Sequence, residues 1–587
     1  MTNILLINIP HISFKEFITP DFNAKKITKR DGKYYGNILT DMPLGLLSLS
    51  AYVKKYSSKP NDISFIDFNI ELNEADGFIF NNFYDYFLFV LKKIVIRPEV
   101  VGVSSLFSTS YHSLLHLGKA VKTLWPECIL VTGGPVPSGC YKEIYRDSHD
   151  FDGICYGEGE KPFLGLIESD DKKKYLQTSR TWITSKKIVF GDCFEHDFVE
   201  NLDDIPFYDY DLLNAEKYGH NPSLTAYHGV GEHAMNFHVM TSLGCPFKCT
   251  FCASHKVHGR KMRYWSMERV ESDLTQLKNK FGAKTIVVQD DHLMGDPDRA
   301  LKILKIICNL NLKVVFQNGL AMYALSRVFL ETLKEAGVEQ LLLSIESGNE
   351  NTLKNLMKKP LKLDIVQRVV NDCRELGIYT NANILIGMPG ETHNDIEITR
   401  AFLKTISPNW FMIFCASPLV GSEMYEEAVR KNYLVEGFVG GGDFKRAVLK
   451  TDEFTPDYIQ KMAYFLNLEI NFVHNSDIRL GNYSLALRGI ENAIKARDDH
   501  ALAYYYAGLC YSKLGDLEKG HSYLEKSLNI AKENPFWRSI FEYFNLPMEL
   551  DGDRAFSTFP ENKSENTKKS DFITSSKLEN IFGYLNA

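Results

Sequence analysis

Short apolar runs alternate with amphipathic stretches over residues 1–170. Five runs rich in β-branched and other apolar residues predict strands, at Asn3 to Asn8, Ile63 to Phe68, Val100 to Ser104, Ile129 to Thr132 and Gly153 to Tyr156. Strands separated by helical stretches are typical of a parallel sheet covered by helices. The pattern therefore predicts an α/β domain with a doubly wound, Rossmann-like sheet at the start of the chain.

The same alternation returns after Phe237. Six further strands are predicted near Val239, Ile286, Val314, Leu342, Ile384 and Phe414, separated by amphipathic segments such as Met267 to Lys280. Six strand and helix units form a partial (β/α)6 barrel, and the active site of such a barrel lies at the C-terminal ends of its strands.

A repeat of 34 residues follows between residues 468 and 534. Small and apolar positions of its first unit recur in the second, with Gly481, Ala486, Ile490 and Ala493 matched by Gly515, Gly520, Leu524 and Ser527. These units resemble tetratricopeptide repeats, which are packed helix pairs. Two units are fewer than the three usually needed for independent stability, so we expect them to pack on the barrel or on a protein partner.

These patterns divide the chain into segments with distinct predicted structures. The bounds are 1–170 for the Rossmann-like domain, 171–235 for a linker, 236–433 for the barrel, 434–467 for a flanking helical segment, 468–550 for the repeats and 551–587 for a polar, disordered tail. Within the linker, Trp182 to Phe190 is interpreted as a small hairpin. In the flanking segment, Thr455 and Pro456 predict the start of a helix.

Composition is that of an ordinary globular protein, with 44 % hydrophobic and 24 % charged residues. The formal charge of -7 gives no electrostatic reason to expect nucleic acid or a membrane as a partner. The aromatic stretch from Phe78 to Ile96 carries Asp85 and Lys92, so it is interpreted as an amphipathic helix and not as a membrane span. Eleven cysteines without disulfide-like spacing, and a start without signal-peptide features, indicate the reducing cytoplasm.

The most specific chemistry is in the stretch from Gly244 to Cys252. Cys245, Cys249 and Cys252 have C-x3-C-x2-C spacing on one short loop, so their sulfurs can converge on one centre. A structural zinc site normally adds a fourth Cys or His at close spacing. Three thiolates instead leave one iron of a 4Fe-4S cluster open to a ligand from outside the protein.

This loop resembles the cluster-binding signature of radical S-adenosylmethionine (SAM) enzymes, including the aromatic Phe251 before the third cysteine. The resemblance extends from Met240 to Lys431. It implies that SAM chelates the open iron, and that one electron, from a donor such as flavodoxin or ferredoxin, releases a 5′-deoxyadenosyl radical. His255 and His258 are open to interpretation as spare metal ligands, but a basic, solvated helix is favoured.

Polar residues follow the barrel strands where the active site is expected, at Gln289 to Asp291, Gln317 to Asn318, Ser344 to Gly348 and Gly387 to Glu391. The resemblance implies that Glu346 and Ser347 contact the ribose or carboxylate of SAM, that Asp290 contacts its amino group, and that the backbone at Ile386 and Gly387 contacts the adenine. Asp291 fits a helix or turn cap as well as a ligand contact. Cys415 is interpreted as a buried, inert thiol, with a hydrogen donor as the alternative.

Glycines and small residues follow three strands of the first domain, as Ser104-Ser105-Leu106, Gly133-Gly134-Pro135 and Gly157-Glu158-Gly159-Glu160. Together with Met42 to Leu47, they resemble the cobalamin-binding domain that precedes the barrel in one branch of radical SAM enzymes. Ser104-x-Leu106 and Gly133-Gly134 match motifs that hold the nucleotide tail of cobalamin. An Asp-x-His-x-x-Gly loop is missing, and His11 lacks its Asp and Gly, which implies cobalamin without a histidine lower ligand.

The leading hypothesis is a cobalamin-dependent radical SAM methyltransferase acting on an unactivated carbon of a small-molecule or peptide substrate. Its cofactors would be the 4Fe-4S cluster, SAM and cobalamin. One alternative is radical cyclisation, rearrangement or oxidation without methyl transfer. A second is a scaffold whose cluster is structural and whose repeats bind a protein partner, although such a cluster needs neither Asp290 nor Glu346. The pattern assigns no catalytic acid or base.

Overall fold

The computed structural model describes residues 1–19, 26–28, 31–36, 38, 40–219, 235–436, 438, 446–549, 573 and 575–583. The chain forms two compact units. Unit 1 comprises Met1–Glu339, Pro418–Asn432 and Glu436–Asp443, and unit 2 comprises Gln340–Ser417, Tyr433–Val435 and Phe444–Ala587. The domain bounds given above remain predictions about segments of the chain.

Unit 1 contains thirteen strands among its described residues. They are β1 (Thr2–Asn8), β2 (Lys26–Thr28), β3 (Tyr34–Gly36), β4 (Asn61–Asp67), β5 (Val100–Ser104), β6 (Ile129–Gly133), β7 (Gly153–Cys155), β8 (Trp182–Ile183), β9 (Asn236–Val239), β10 (Ser242–Leu243), β11 (Arg263–Tyr264), β12 (Thr285–Val288) and β13 (Lys313–Phe316). Its helices are α1 (Phe14–Ile18), α2 (Leu44–Tyr56), α3 (Phe68–Glu74), α4 (Phe83–Leu91), α5 (Tyr111–Leu124), α6 (Pro135–Gly139), α7 (Tyr141–Asp147), α8 (Glu160–Glu168), α9 (Lys172–Thr178), α10 (Ser185–Phe190), α11 (His255–His258), α12 (Met267–Phe281), α13 (Pro297–Asn309), α14 (Arg327–Glu335) and α17 (Glu423–Arg430).

Unit 2 contains β14 (Gln340–Glu346), β15 (Tyr379–Ile386) and β16 (Trp410–Cys415). Its helices are α15 (Val366–Glu375), α16 (His393–Thr405), α18 (Pro456–Leu468), α19 (Ser476–Arg479), α20 (Tyr483–Ala496), α21 (Ala501–Lys513), α22 (Leu517–Glu533), α23 (Pro535–Tyr543) and α24 (Ser575–Phe582). The predicted N-cap is confirmed, because the Thr455 hydroxyl accepts from the Tyr458 amide at the start of α18.

The first sheet of unit 1 has the order β4-β1-β5-β6-β7-β8, with all pairs parallel except β7 with β8. Its five parallel strands are the five that the hydrophobic pattern predicts. Their order reverses between β1 and β5, and doubly wound sheets bind ligands in the crevice at the carboxyl ends of such strands. Its core includes Ile4, Leu6, Val100, Val131 and Phe163.

The predicted hairpin from Trp182 to Phe190 is wrong. Trp182–Ile183 adds to the first sheet as β8, so part of the predicted linker belongs to that sheet. The following residues form α10, because the Thr184 hydroxyl caps the helix start and Gly191 adopts a left-handed conformation at its end. The buried ammonium of Lys187 donates to three backbone carbonyls, which fixes the helix against the preceding chain.

The six barrel strands are present, and they hydrogen-bond within two separate parallel sheets. One sheet, in unit 1, has the order β13-β12-β9, and the other, in unit 2, has the order β14-β15-β16. Between β9 and β12, the chain makes a short antiparallel ribbon in which β10 pairs with β11. This ribbon closes the loop 244–262, which carries the three spaced cysteines.

The helices of the segment 468–550, in which repeats are predicted, belong to the same compact unit as β14, β15 and β16. The carboxamide of Asn471 exchanges two hydrogen bonds of 2.8 Å with the backbone of Phe411 on β16. Packing of this segment on a barrel strand, one of the two expectations, is therefore observed, and the resemblance to tetratricopeptide repeats remains a prediction.

Two further predictions are refined by the structure. The predicted disordered tail contains α24, with Leu578, Ile581 and Phe582 buried, and the rest of the tail except Ile573 and Gly583 lies outside the described residues. The aromatic stretch near Phe78 forms the shorter helix α4, capped by Asn82. In the described part of the chain, no helix combines the length and the apolar character that crossing a bilayer requires.

Candidate functional site

The cysteine loop of unit 1 lies between β10 and β11. Cys245, Cys249 and Cys252 are all half-buried. Gly244, which precedes the first cysteine, has φ +91°, and a Cβ there would approach the carbonyl oxygen of Lys261 to 2.4 Å. A side chain is therefore excluded at this position, and the two ends of the loop can approach closely.

The donor chemistry of the loop fits an iron-sulfur cluster. Burial raises the pKa of Cys245 to about 11, and the neighbouring Cys252, Asp291 and Cys249 add to the shift. In the described residues, no group of three or more His, Cys, Asp or Glu side chains is already gathered at metal-binding spacing. The three thiols are therefore not brought together at metal-binding distances in this structure. They are nevertheless soft donors on one short loop, and iron would supply the positive charge that favours their thiolate forms.

Asp290, after β12, holds the chain that leads into this loop. Its carboxylate accepts from the backbone N–H of Thr241 at 2.7 Å, from the Thr241 hydroxyl at 2.7 Å and from the Ser242 hydroxyl at 2.5 Å. Burial raises its pKa in spite of these donors. The side chain is only 3 % exposed, and its hydrogen bonds position the chain at Thr241 and Ser242. The resemblance implied a different role, a contact with the SAM amino group.

The next residue, Asp291, fixes the loop itself. Its Oδ2 accepts from the N–H of Gly244 at 3.2 Å and lies 2.7 Å from Nδ1 of His258. Burial alone would lower the pKa of His258, but the carboxylate of Asp291 raises it to about 9. The sequence predicted a solvated helix at His255 and His258. The structure differs at His258, whose ring forms an ion pair with Asp291 across the loop.

The far end of the loop is held by the first sheet. Arg263 on β11 donates to both carboxylate oxygens of Glu158, which follows β7, with 2.9 Å between Nη1 and Oε2. The same guanidinium donates to the carbonyl of His258. Both side chains are almost fully buried, so Glu158 is engaged with the cysteine loop, whereas the resemblance placed it among the cobalamin contacts.

Replacing Asp291 by alanine is expected to weaken cluster retention. The change removes the acceptor of the Gly244 N–H and the partner of His258, and loss of such outer contacts typically reduces metal affinity by about 10- to 100-fold. Iron content after reconstitution and chelator challenge measures the effect, with the exposed Asp298→Ala as a matched control.

Because the pKa of His258 is raised, the ion pair is present at pH 7 and is lost as the pH rises through about 9. Unchanged iron retention in Asp291→Ala would contradict this assignment.

The carboxyl edge of β5 and β6 is the predicted cobalamin edge. Leu106 is 44 % exposed there, and Ser104 and Gly133 are half-buried. The hydroxyl of Ser105 is instead paired with that of Ser110 at 2.8 Å. A Cβ on Gly133 would make only an ordinary contact of 3.4 Å. The edge thus offers an exposed apolar side chain and bare backbone, which fits a large ring system.

Two other glycines of the predicted edge are required by the protein itself. Gly134 has φ +103°, and its Cβ would approach the carbonyl oxygen of Ser105 to 2.8 Å. A Cβ on Gly157 would meet the ring of His196 at 2.3 Å. Close packing within the protein explains Gly134 and Gly157, so a larger residue there would disturb the fold. Gly133 is therefore the position at which a substitution can test cobalamin binding.

His11 lies beside this edge, after β1. Its ring stands edge-on to Phe107 with 4.8 Å between centroids, and both ring nitrogens are buried without a hydrogen-bond partner among the described residues. Burial lowers its pKa to about 4, so the imidazole is neutral. An orphaned buried imidazole at a ligand edge is a second observation that fits a bound group there.

In unit 2, Glu346 ends β14 in a strained conformation. Its φ is +70°, and the register between β14 and β15 shifts between Ser344 and Glu346. Non-glycine residues at positive φ cost about 1–3 kcal/mol and cluster at functional sites. Its carboxylate lies 3.3 Å from the ammonium of Lys359, and both side chains keep some exposure. The following Ser347 is fully buried, with its hydroxyl 3.0 Å from that of Thr399.

The end of β15 is organised by Glu391, the last residue of the stretch Gly387 to Glu391 that the sequence predicts at the active-site edge without assigning a contact to this side chain. Its Oε2 accepts from the N–H groups of Gly387 at 2.7 Å and of Met388 at 3.1 Å. Burial raises its pKa to about 8, and its other oxygen has no partner among the described residues. The position of Glu391 directly after the Gly387-Met388-Pro389-Gly390 turn is the sequence signal that could have identified its role. Ile386 and Cys415 are both buried.

Two family models match this chain. The model described as "Radical SAM superfamily" matches residues 239–403, and the one described as "B12 binding domain" matches residues 42–167. The first range contains the cysteine loop, Asp290, Asp291, Glu346 and Glu391. The second contains the exposed edge of β5 and β6.

Curated relatives match this chain at modest identity. The cytidylyl-2-hydroxyethylphosphonate methyltransferase of Streptomyces wedmorensis is 27 % identical over 426 residues, which cover 67 % of this chain and 78 % of the relative. The anaerobic magnesium-protoporphyrin IX monomethyl ester cyclase of Rubrivivax gelatinosus is 22 % identical over 385 residues, covering 63 % of this chain and 64 % of the relative.

A solved structure supports the fold over almost the whole chain. The cobalamin-dependent S-adenosylmethionine radical enzyme OxsB, with aqua-cobalamin and SAM bound, aligns with a TM-score of 0.57. The alignment covers 99 % of this chain and 84 % of that chain at 15 % identity. This likeness shows a shared fold.

Proposed function

Since the chain belongs to the radical SAM enzymes that carry a B12 binding domain, we propose that it is a methyltransferase acting on an unactivated carbon of a small-molecule or peptide substrate. One structural observation carries the proposal. The cysteine loop is tied at one end to the carboxyl edge of β12 by Asp290 and Asp291, and at the other to the carboxyl edge of β7 by Glu158. The cluster loop and the B12 binding sheet are thereby held in one compact unit.

When bound, the 4Fe-4S cluster supplies the electron that cleaves SAM, and cobalamin supplies a methyl group. The protein residues have separable tasks. Cys245, Cys249 and Cys252 would hold the cluster, with Phe251 beside the third cysteine. Glu346, whose carboxylate stays partly exposed, and the Gly387 backbone, fixed by Glu391, would orient the ribose and adenine of SAM. Ser104, Leu106 and Gly133 would contact cobalamin.

A radical reaction without methyl transfer is the second candidate. It is favoured by the relative from Rubrivivax gelatinosus, which is 22 % identical over 385 residues and is named a cyclase. The two candidates use the same cluster and SAM residues. They differ in whether a second SAM molecule donates its methyl group.

The test is anaerobic reconstitution with iron, sulfide and cobalamin, followed by dithionite and SAM. Both enzyme candidates yield 5′-deoxyadenosine, and only methyl transfer also yields S-adenosylhomocysteine. Formation of 5′-deoxyadenosine alone would favour the cyclase-like chemistry. Formation of neither product would overturn the enzyme proposal and leave a scaffold with a structural cluster.

Cobalamin binding is tested at Gly133. Gly133→Val is expected to block binding, because bare backbone there lets a ligand approach closely, and to leave cluster assembly intact. Asp62→Val, at an exposed position near the amino end of β4 in the same sheet, is the matched control. Equal cobalamin binding by both variants would contradict the assigned edge.

The bound cobalamin is also expected to lack a histidine lower ligand. Electron paramagnetic resonance of the cobalt(II) form should then show no nitrogen superhyperfine splitting from an axial ligand. His11 is the residue at this edge able to contradict the expectation. A splitting that disappears in His11→Phe would identify it as the ligand.

The proposed radical chemistry also indicates an electron donor and a cellular compartment. We propose that a flavodoxin or ferredoxin supplies the electron, and that a protein partner contacts the repeats near the exposed Leu514 and Leu517. None of the cysteines that the structure describes forms a disulfide. Free thiols and a reducible cluster fit the reducing cytoplasm.

A further inference from the structure

One face of the unit 2 sheet carries three polar side chains without hydrogen-bond partners among the described residues, and one of them, Asn381, is only 2 % exposed. Along β14, Leu341, Leu343 and Ile345 are buried, whereas the alternating Leu342, Ser344 and Glu346 are half-exposed. Asn381 and Asn383 lie on the same face of the neighbouring β15, because Leu342 pairs with Asn381 and Ser344 with Asn383 in the parallel register.

None of the polar side-chain atoms of Ser344, Asn381 and Asn383 has a hydrogen-bond partner among the residues that the structure describes. Nδ2 of Asn381 and Oδ1 of Asn383 are moreover buried. Leaving a buried donor or acceptor unsatisfied costs about 1–3 kcal/mol per group. The fold therefore tolerates two such costs side by side on one strand.

Other asparagines of the same unit behave differently. Asn409 accepts from the N–H and hydroxyl of Thr380 at 2.8 and 3.1 Å, and it donates to both oxygens of Asp477. Asn471 exchanges two bonds with Phe411. These two buried asparagines are thus fully bonded, whereas the pair on β15 is not and requires another explanation.

We propose that Asn381, Asn383 and Ser344 form a recognition subsite for a neutral amide group of the substrate, such as a peptide bond, a carboxamide or a lactam. This inference rests on the proposed function. Two carboxamides and a hydroxyl offer both donors and acceptors, as an amide ligand requires. Leu342 lies beside Asn381, and Met412 lies beside Asn383. The charged groups of this face are already engaged, since Arg488 donates to Gln340 at 2.6 Å and lies over the ring of Tyr379. The carboxylate of Glu346 likewise lies beside the ammonium of Lys359.

The distance of this subsite from the SAM edge indicates which part of the substrate it would bind. Asn383 is three residues before Ile386, so it lies about 10 Å along the strand from the edge assigned to SAM, and Asn381 lies about 16 Å away. The subsite would therefore bind a part of the substrate remote from the reacting carbon. Binding energy of that kind orients the reacting end.

The first test compares stability with function in the double variant Asn381→Leu, Asn383→Leu. Replacing unpaired polar groups by apolar groups of similar shape is nearly neutral or stabilising. The thermal midpoint of the double variant should therefore equal or exceed that of the wild type, and Asn409→Leu should lower it. A clear fall in the midpoint of the double variant would show that the pair is structural and would overturn the proposal.

The second test uses N-acetylglycinamide as a neutral amide probe and acetate as a charged comparison. Saturation-transfer NMR on the reconstituted full chain should show binding of the amide by the wild type, with at least a tenfold loss of affinity in the double variant. Absent amide binding, equal binding by the variant, or preference for acetate would each overturn the subsite. Reductive SAM cleavage without substrate, measured on the same samples, should match the wild type. Loss of cleavage in the wild type would instead count against the proposed function.

Discussion

Alanine at Cys249 is expected to leave the purified, reconstituted protein without its cluster. Cys249 lies in the middle of the C-x3-C-x2-C loop, and its carbonyl accepts from the N–H of Cys252 at 3.2 Å. Two remaining thiolates cannot hold a 4Fe-4S cluster stably, since one such site needs three protein ligands plus the open position. Iron content and 5′-deoxyadenosine formation should both fall to background.

The matched control for this change is Cys308→Ala. Cys308 is also a half-buried free thiol, and it lies on α13 away from the loop. This variant should keep the iron content and activity of the wild type. A Cys249→Ala protein with near-normal iron and a brown chromophore would contradict the assignment of the loop.

Glu469→Ala is expected to destabilise unit 2 severely. The Glu469 carboxylate is buried, and it accepts two bonds of 2.6 Å from Arg400, with the ammonium of Lys404 at 2.8 Å. Removing one partner of a buried ion pair typically costs about 3–5 kcal/mol, because the other charge stays buried without compensation. A cooperative denaturant or thermal transition measures the loss, with the exposed Glu518→Ala on α22 as the control.

The pH dependence of unit 2 follows from the same pair. Burial alone would raise the pKa of Glu469, but the neighbouring Arg400 lowers it to about 2. Because the folded pKa is depressed, the stabilisation is fully present above about pH 4.5 and is lost as the pH falls toward 2. A Glu469→Ala protein with the same midpoint and the same acid transition as the wild type would contradict this account. The pair also joins α16 to the first residues of the predicted repeat segment 468–550, so deleting the chain from residue 468 would remove a stabilising partner of Arg400.

The sequence by itself determined the strands and the chemistry of the main loop. Alternating apolar runs predicted all five parallel strands of the first sheet and all six barrel strands. The cysteine spacing and the glycines after β6 identified the two cofactor domains that the family models match. These signals are local, since hydrophobic periodicity and short spacings depend on neighbouring residues alone.

Only the tertiary structure decided what the charged and polar site residues do. Asp290 and Asp291 were expected near SAM or as caps, and they hold the cysteine loop through Thr241, Ser242 and Gly244, almost fifty residues earlier in the chain. The two-residue strand β8 was hidden for a related reason, because a strand that short has no period to detect.

Glu158 and the pair Asn381 and Asn383 show the same dependence on folding. Glu158 meets Arg263 across 105 positions of the chain. Asn381 and Asn383 differ from Asn409 only in whether a partner lies within reach. Hydrogen-bond partners distant in sequence are chosen by packing, and local residue patterns do not contain that information.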